Sequence, residues 1–382
     1  MDEAETKAQL KSKVIAFYLP QYHVIPENDK AYGVGFTEWT NVRKARPLYE
    51  GHNQPRIPED GNYYSLLSKE VMIEQASLAK QYGVYGFCYY HYWFKNGKKL
   101  LEKPIEMMLK TPEIDIPFCL CWANENWTKR WDGGNNEVIV EQDYGDISDL
   151  NNHIDYLCEF FKDERYIRID GKPLLLIYRP ELIPNLSRMV KIIRERVKKN
   201  GFSGIVLATQ HPDYYFAFKN KDFFDYYVQF EPLFIQSYEI EKKGLLKSKI
   251  KHFLLSHNMR TVFISLQREY QKRKKRELVH RDYDKDWQSI IDYPVDDKKL
   301  IAGAFVDWDN TPRNQKGIVY DGTSVEKFRT YFKKLVVKVQ EEYSTDYIFI
   351  NAWNEWAEGA YLEADEKNGL GFLNAIKDSL TD

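Results

Sequence analysis

Two glutamates, Glu355 and Glu358, stand three residues apart in the run Trp353-Asn354-Glu355-Trp356-Ala357-Glu358-Gly359. Carboxylates are almost never buried without a partner, and free tryptophan surface is costly to expose. The run therefore reads as a site in which Trp353 and Trp356 are apolar walls and the two glutamates work between them. Residues three apart in a turn share a face, with Cβ atoms about 5–6 Å apart. Two carboxylates that close repel, so one pKa rises and that group can hold a proton near neutral pH. An acid beside a base is the equipment of general acid–base cleavage. The spacing alone leaves open a direct carboxylate nucleophile, which uses a separation of about 5–5.5 Å.

These residues need a frame, and the chain supplies one repeatedly. Tyr347 to Ile350 is apolar, β-rich in character and uncharged, a buried strand that runs into the site. Seven earlier stretches behave alike: Val14–Leu19, Val84–Tyr89, Pro117–Cys121, Leu174–Tyr178, Ile205–Ala208, Tyr226–Phe230 and Ile301–Val306. Most are separated by helical stretches, such as Lys69–Tyr82 behind the capping Ser68, Leu186–Lys199 and Val325–Glu342. Alternation of this kind calls for parallel strands with right-handed crossovers, and eight of them for a closed (β/α)₈ TIM barrel. Such barrels keep their active sites at the C-terminal strand ends, and polar and aromatic residues gather there in this chain. Tyr22 follows strand one, with Glu38 and Trp39 in the loop beyond it. Tyr89, Tyr90, Tyr92 and Trp93 leave strand two, and Trp122, Asn124, Glu125 and Trp127 leave strand three, followed by Trp131 and Asp132. Tyr178, Gln210 and Glu231 end strands four, five and six; Asp307 and Trp308 end strand seven; Trp353, Asn354 and Trp356 end strand eight. The aromatics suit stacking on sugar rings and the polar groups suit sugar hydroxyls, with Glu125 the rival for a catalytic role. His23 and His91 read as hydrogen-bonded structural residues.

A chain of 382 residues with no Gly/Ser-rich linker fits one catalytic barrel domain over residues 1–382. Its large irregularity is a basic helical insertion over residues 233–300, with Lys242, Lys243, Lys247, Lys249, Lys251 and the cluster Lys272-Arg273-Lys274-Lys275-Arg276. Residues 242–276 could meet an anionic membrane or a lipid-linked glycan, against the plainer reading of a solvated helical face. The formal net charge of −2 gives no global field for nucleic acid, so no nucleic-acid partner is expected. Cys88, Cys119, Cys121 and Cys158 lack metal-type spacing with histidines and read as buried free thiols. The acidic start, Met1 to Glu5, has no apolar signal core behind it and no run is long enough to span a membrane, so a cytoplasmic protein is expected. No cofactor and no metal are expected.

Five stretches carry a resemblance: Trp122-Ala-Asn-Glu-Asn-Trp-Thr, Arg130-Trp-Asp-Gly, Asp170-Gly-Lys-Pro-Leu-Leu, Asp307-Trp-Asp-Asn-Thr-Pro-Arg and Asn351-Ala-Trp-Asn-Glu-Trp-Ala-Glu-Gly. From about Val14 to Phe372 the chain resembles the WbsX-like family of bacterial polysaccharide-cluster proteins, related to family 99 glycoside hydrolases (endo-α-mannosidase-like). The resemblance implies a retaining cleavage in which Glu355 takes the proton of the substrate 2-OH and a 1,2-anhydro sugar forms. Glu358 then matches the group that protonates the leaving oxygen and activates water. It implies an oligosaccharide or polysaccharide substrate, without fixing sugar or linkage. Two alternatives stand beside the hydrolase. One is a glycosyltransferase of O-antigen or capsular polysaccharide biosynthesis, with Asp307-Trp308-Asp309 as its metal–nucleotide motif; the motif falls on strand seven, and no Gly-rich phosphate loop precedes it. The other is a non-catalytic glycan-binding barrel, which has no use for a retained glutamate pair.

Overall fold

The computed structural model describes residues 11–129, 137–211, 221–242 and 277–381. Its centre is a ring of eight parallel strands: β1 (Lys13–Tyr18), β2 (Val84–Phe94), β3 (Phe118–Trp122), β4 (Lys172–Ile177), β5 (Val206–His211), β6 (Tyr226–Gln229), β7 (Leu300–Phe305) and β8 (Tyr347–Asn351). Each pairs with its successor, and β8 returns to β1, where Val14 lies opposite Ile348 and Ile15 opposite Phe349. The fold is the (β/α)₈ TIM barrel that the alternation predicts. The strands are buried on both faces, which is why they read as continuous apolar runs rather than alternating ones.

Helices α1 (Lys69–Gln81), α2 (Glu102–Lys110), α3 (Ile147–Phe161) and α4 (Leu186–Lys199) follow β1 to β4 in turn. After β6 come α5 (Leu233–Lys242) and α6 (Tyr283–Asp292); α7 (Val325–Glu342) follows β7, and α8 (Gly371–Thr381) ends the described chain. Local chemistry sets the starts: Ser68 accepts from Val71 N, Asp146 from Asp149 N, and Ser324 from Lys327 N. Close packing sets one strand contact. A Cβ on Gly303 of β7 would come within 1.7 Å of the Gln229 carbonyl oxygen on β6, so only glycine lets these two strands approach as they do.

The structure departs from the sequence expectations in places. Tyr90 to Phe94 continue β2 instead of leaving it, because the extension folds back on Lys98–Leu100 in antiparallel pairing. A strand pair outside the barrel, Val279–Asp282 with Ile318–Asp321, joins the stretch just before α6 to the loop after β7. Residues 243–276, including Lys272–Arg276, lie outside the described residues. Among the described residues no helix is long and apolar enough to cross a membrane. All four cysteines are buried and free.

Glu231, at the end of β6, turns away from the barrel mouth. Its carboxylate accepts from Ile235 N at 3.0 Å and so caps the first turn of α5. Burial pushes its pKa up to about 8, with Asp286 adding and the Ile235 bond opposing. A carboxylate that binds its proton more tightly in the fold than in the unfolded chain stabilises the fold in its protonated form. That stability is fully present below the unfolded pKa and is lost as pH rises through about 8. Glu231→Gln keeps an acceptor and removes the charge. It is expected to leave Tm unchanged near about pH 5 and to raise it near about pH 9, and thermal melts at the two pH values check this.

Candidate active site

The C-terminal strand ends surround a cavity of about 450 Å³. Tyr90 and Tyr92 of β2, Trp127 and Thr128 beyond β3, and Tyr178 beyond β4 line one side. Phe230 and Leu233 beyond β6 and Trp308 beyond β7 line another, and Arg313, Glu355 and Glu358 complete it.

The glutamates sit on a tight hairpin fastened to the barrel. Trp353 N donates to Phe17 O at 2.8 Å. The Asn354 amide then grips the end of β1, accepting from Leu19 N at 2.7 Å and donating to Leu19 O at 3.1 Å. Asn354–Glu355 pairs antiparallel with Ala360–Tyr361, and the link is a 3₁₀ turn, Trp356–Glu358. Glu355 immediately precedes this turn and Glu358 ends it, and both side chains line the cavity. Gly359 closes the turn at φ +66°, where a Cβ would also come within 2.9 Å of Asp309 N, so both backbone and space require glycine.

One guanidinium collects the acids. Arg313 Nη2 donates to Glu355 Oε2 at 3.0 Å, Nη1 donates to Glu358 Oε1, and Nε donates to Glu38 Oε1 at 2.8 Å. Glu38 is fully buried, and the Arg313 side chain is 13% exposed. Burial raises the Glu38 pKa, with Arg313 opposing and Glu358 adding. Glu355 rises to about 8, first by burial and then by the charge of Glu358, while Arg313 pulls it down. Three carboxylates thus share one positive charge in a largely dry site, and the cluster favours holding a proton.

Behind Arg313 lies its support. Asp309 Oδ1 accepts from Thr311 N at 3.0 Å and Thr311 Oγ1 at 2.6 Å, shaping the loop that carries Arg313. Its other oxygen accepts from Gln54 Nε2 at 2.7 Å and His52 Nε2 at 2.9 Å. Leu48 N donates to His52 Nδ1, which assigns the ring hydrogen to Nε2. Burial opposes ionisation of Asp309, but Arg56 and the hydrogen bonds outweigh it and hold its pKa below the usual carboxylate value. Asp307 accepts from Arg56 Nη2 at 2.7 Å, Thr323 Oγ1 at 2.7 Å and Trp308 N at 2.8 Å. The oxygens of Asp307-Trp308-Asp309 are thereby committed to protein partners. Among the described residues no group of three or more His, Cys, Asp or Glu is placed to hold a metal ion.

Of the other residues singled out in the sequence, Tyr90, Tyr92, Glu125, Trp127, Tyr178 and Trp308 line the cavity. Gln210 stands behind, donating to Tyr90 Oη at 3.1 Å. Tyr22 donates to Asn354 O and steadies the hairpin. Asn124 clamps two strand ends by accepting from Arg179 N and donating to Arg179 O, each at 2.8 Å. Trp93 stacks on buried His153, whose Nε2 lies 2.9 Å from His91 Nε2, and Trp122 donates to Trp93 O. His23 Nδ1 lies 3.0 Å from Pro20 O. Tyr89 packs on Tyr18. Trp353 and Trp356 face away from the cavity that holds the glutamates. Trp353 packs on Phe87, and Trp356 lies between Trp39 and Tyr361 and donates its Nε1 to Glu363 at 2.6 Å. Trp131 and Asp132 lie outside the described residues.

The family described as Glycosyltransferase WbsX matches residues 14–376, nearly the whole chain. The chain belongs to the WbsX family. It is 37% identical over 386 aligned residues to the uncharacterised protein WxcX of Xanthomonas campestris pv. campestris, covering 97% of this chain and 50% of that protein. This WbsX-family chain therefore spans about half the length of the curated relatives it matches. In fold it is similar to the GH99 endo-alpha-mannosidase of Bacteroides thetaiotaomicron, with a TM-score of 0.53, 12% identity and 97% of each chain covered. A glycoside hydrolase-like protein gives a TM-score of 0.54 at 13% identity, covering 100% of this chain and 97% of that one.

Sequence reasoning passed over Arg313, although it stands within the stretch Asp307 to Arg313. The signal was available: two carboxylates read as buried require a cation, and this was an arginine in a stretch already singled out. Removing it is expected to leave two buried carboxylates, Glu38 and Glu355, and half-buried Glu358 without this cation. Arg313→Met should destabilise the fold by about 3–5 kcal/mol, and adding Glu38→Gln should recover part of that loss. Urea unfolding of the single and double variants measures this; simple additivity would mean that the two side chains do not act together.

Proposed function

We propose that this WbsX-family protein is a glycoside hydrolase of the family 99 type, cleaving a glycosidic bond in a bacterial oligosaccharide or polysaccharide with Glu355 and Glu358. The observation that carries this reading is the glutamate pair on one turn, bridged by Arg313, in a cavity walled by tyrosines and tryptophans. The likeness in fold to an endo-alpha-mannosidase and the matched motif run support it.

In this reading the single proton of the pair, which rests on Glu355 in the empty site, stands on Glu358 once substrate is bound, and ionised Glu355 takes the proton from the substrate 2-OH. The freed O2 attacks C1 as the C1–O bond to the leaving group breaks, and Glu358 gives its proton to the departing oxygen. Glu358 then takes a proton from water as that water attacks C1, the C1–O2 bond opens, and O2 recovers its proton from Glu355. Configuration is retained after two inversions, and the pair ends as it began, with one proton between them. Arg313 lies on both carboxylates and offsets the charge that passes from one to the other. Tyr90, Tyr92, Trp127 and Trp308 offer ring faces to the sugar C–H surfaces, and Glu125 and Tyr178 offer hydrogen-bonding groups.

A transferase reading rests on the family's description as a glycosyltransferase. Titration with a nucleotide diphosphate sugar and a divalent metal separates the two. Turnover of an oligosaccharide without nucleotide supports hydrolysis, and saturable nucleotide binding required for turnover supports transfer.

Glu355→Gln and Glu358→Gln are each expected to lower kcat by about 10²–10⁴-fold. A substrate with a good leaving group should partly rescue Glu358→Gln, since it needs little protonation. Glu355→Gln should not recover, because the 2-OH still lacks its base. Equal rescue of both overturns the assignment of roles.

A pH profile tests the shared proton separately. The active form carries a single proton on the pair, so kcat/KM is expected to fall as pH rises through about 8 and that proton is lost. An alkaline limb absent up to about pH 10 contradicts a shared proton with this pKa.

A further inference from the structure

One quarter of the cavity wall carries four apolar side chains beside Asn310, Arg313 and Asn314. Phe230 and Leu233 follow β6, and Trp308 and Ile318 belong to the excursion that follows β7. Strands β6 and β7 are neighbours in the barrel, pairing at Tyr227–Leu300 and Val228–Ile301, so these residues belong to adjoining strand ends. The backbone holds the β7 side rigid: Tyr320 N donates to Trp308 O at 3.0 Å and Asn310 N to Ile318 O at 3.2 Å. Phe230 and Trp308 are buried, whereas Leu233 and Ile318 are half-buried and present their remaining surface to the cavity.

Aromatic rings suit the C–H faces of any pyranose. Branched aliphatic side chains do not. A sugar hydroxyl pressed against Leu233 or Ile318 gives up hydrogen bonds to water and receives none. A methyl group in the same place leaves water and meets apolar surface. The hydrogen-bonding groups that hydroxyls need stand around this patch, with Glu125, Asn126 and Thr128 on one wall and Asn310, Arg313 and Asn314 in the excursion after β7. The β7 quarter also adjoins the hairpin after β8 that carries Glu355 and Glu358, through the Asp309 N to Glu358 O bond at 2.7 Å.

We infer that the site takes a sugar bearing a methyl-terminated substituent, a 6-deoxy or an acetylated residue, with that methyl group seated on Leu233 and Ile318. The inference rests on the carbohydrate reading of this cavity and narrows it. Both kinds of sugar present the same chemistry, a methyl group projecting from a ring otherwise rich in hydroxyls.

Matched methyl glycosides test it on the full chain. L-rhamnoside against L-mannoside and L-fucoside against L-galactoside differ only in the hydroxyl on C6. 6-O-acetylglucoside against glucoside and 6-O-acetylgalactoside against galactoside report the acetyl arm and keep the 2-OH. Dissociation constants and saturation-transfer NMR are measured for each pair. One methylene-sized apolar contact discriminates by about 10–200-fold, so at least one methyl-bearing member is expected to bind about tenfold tighter than its partner. Its methyl protons should show the strongest transfer. Leu233→Ser and Ile318→Ser, each with an unchanged circular dichroism spectrum, should erase the preference by weakening the methyl-bearing member more than its hydroxylated partner. Equal binding within every pair, or a preference that survives both variants, overturns the inference and leaves the carbohydrate reading intact. Absence of binding by all eight glycosides overturns both.

Discussion

The arrangement depends on a charge imbalance. Glu38, Glu355 and Glu358 meet on the single guanidinium of Arg313, at a place where water cannot screen them well. Each comes from a different part of the ring: Glu38 from the excursion after β1, Arg313 from the loop after β7, and the pair from the hairpin after β8. Coulomb attraction in a partly dry site thus ties together three loops that the barrel merely brings near one another. Oversupply of negative charge is not a defect of this design. A perfectly balanced set would hold both glutamates ionised, whereas the mechanism proposed for this pair needs one of them protonated.

A charge cluster functions only if its members cannot drift, and most of the surrounding polar network restrains them. Asp309 shapes the Arg313 loop through Thr311 and is itself held by His52 and Gln54. Asn354 fixes the hairpin to β1, and Tyr22 donates to the Asn354 carbonyl. Trp356, between the two glutamates in sequence, points the opposite way and is anchored on Glu363, which also accepts from Tyr64 Oη at 2.8 Å and Gln75 Nε2 at 2.6 Å. Burial raises the Glu363 pKa to about 7 while these hydrogen bonds draw it down. The turn is gripped from behind by its aromatic residue while its acids face the cavity.

Much of the fold was legible because buried parallel strands carry an unambiguous signature. Ile348 to Ile350 or Leu174 to Ile177 could not be loops, and eight such runs close only one way. The glutamate pair was legible for a similar reason, since acids directly after a buried strand call for explanation. The orientation of side chains was not. Trp353 and Trp356 were expected as cavity walls, but the hairpin turns Glu355 and Glu358 into the cavity and packs Trp356 between Trp39 and Tyr361. Tyr90 to Phe94 looked like a loop because polar tips interrupt the run, although tyrosine, histidine and tryptophan can all remain in a strand whose partner, Lys98–Leu100, comes later in the chain. Arg313 and Glu38 lie 275 residues apart, and nothing local in either stretch announces the other.

The family is described by a transferase and the fold resembles a hydrolase, yet the two are closer than the names suggest. Transfer from a nucleotide sugar through an Asp-x-Asp motif needs carboxylate oxygens available to a divalent ion. Here Asp309 is occupied by His52, Gln54 and Thr311, and Asp307 by Arg56, Thr323 and its own neighbour's N–H. Freeing them would release the loop that holds Arg313 and disperse the charge cluster. A retaining glutamate pair, in contrast, activates the donor glycosidic bond first and meets the acceptor second. Whether water or a sugar hydroxyl arrives at C1 depends on what the outer cavity binds, not on the pair itself. Under the proposed mechanism the chemistry of bond breaking is set at Glu355 and Glu358, and the choice between hydrolysis and glycosyl transfer is set by the surfaces around them.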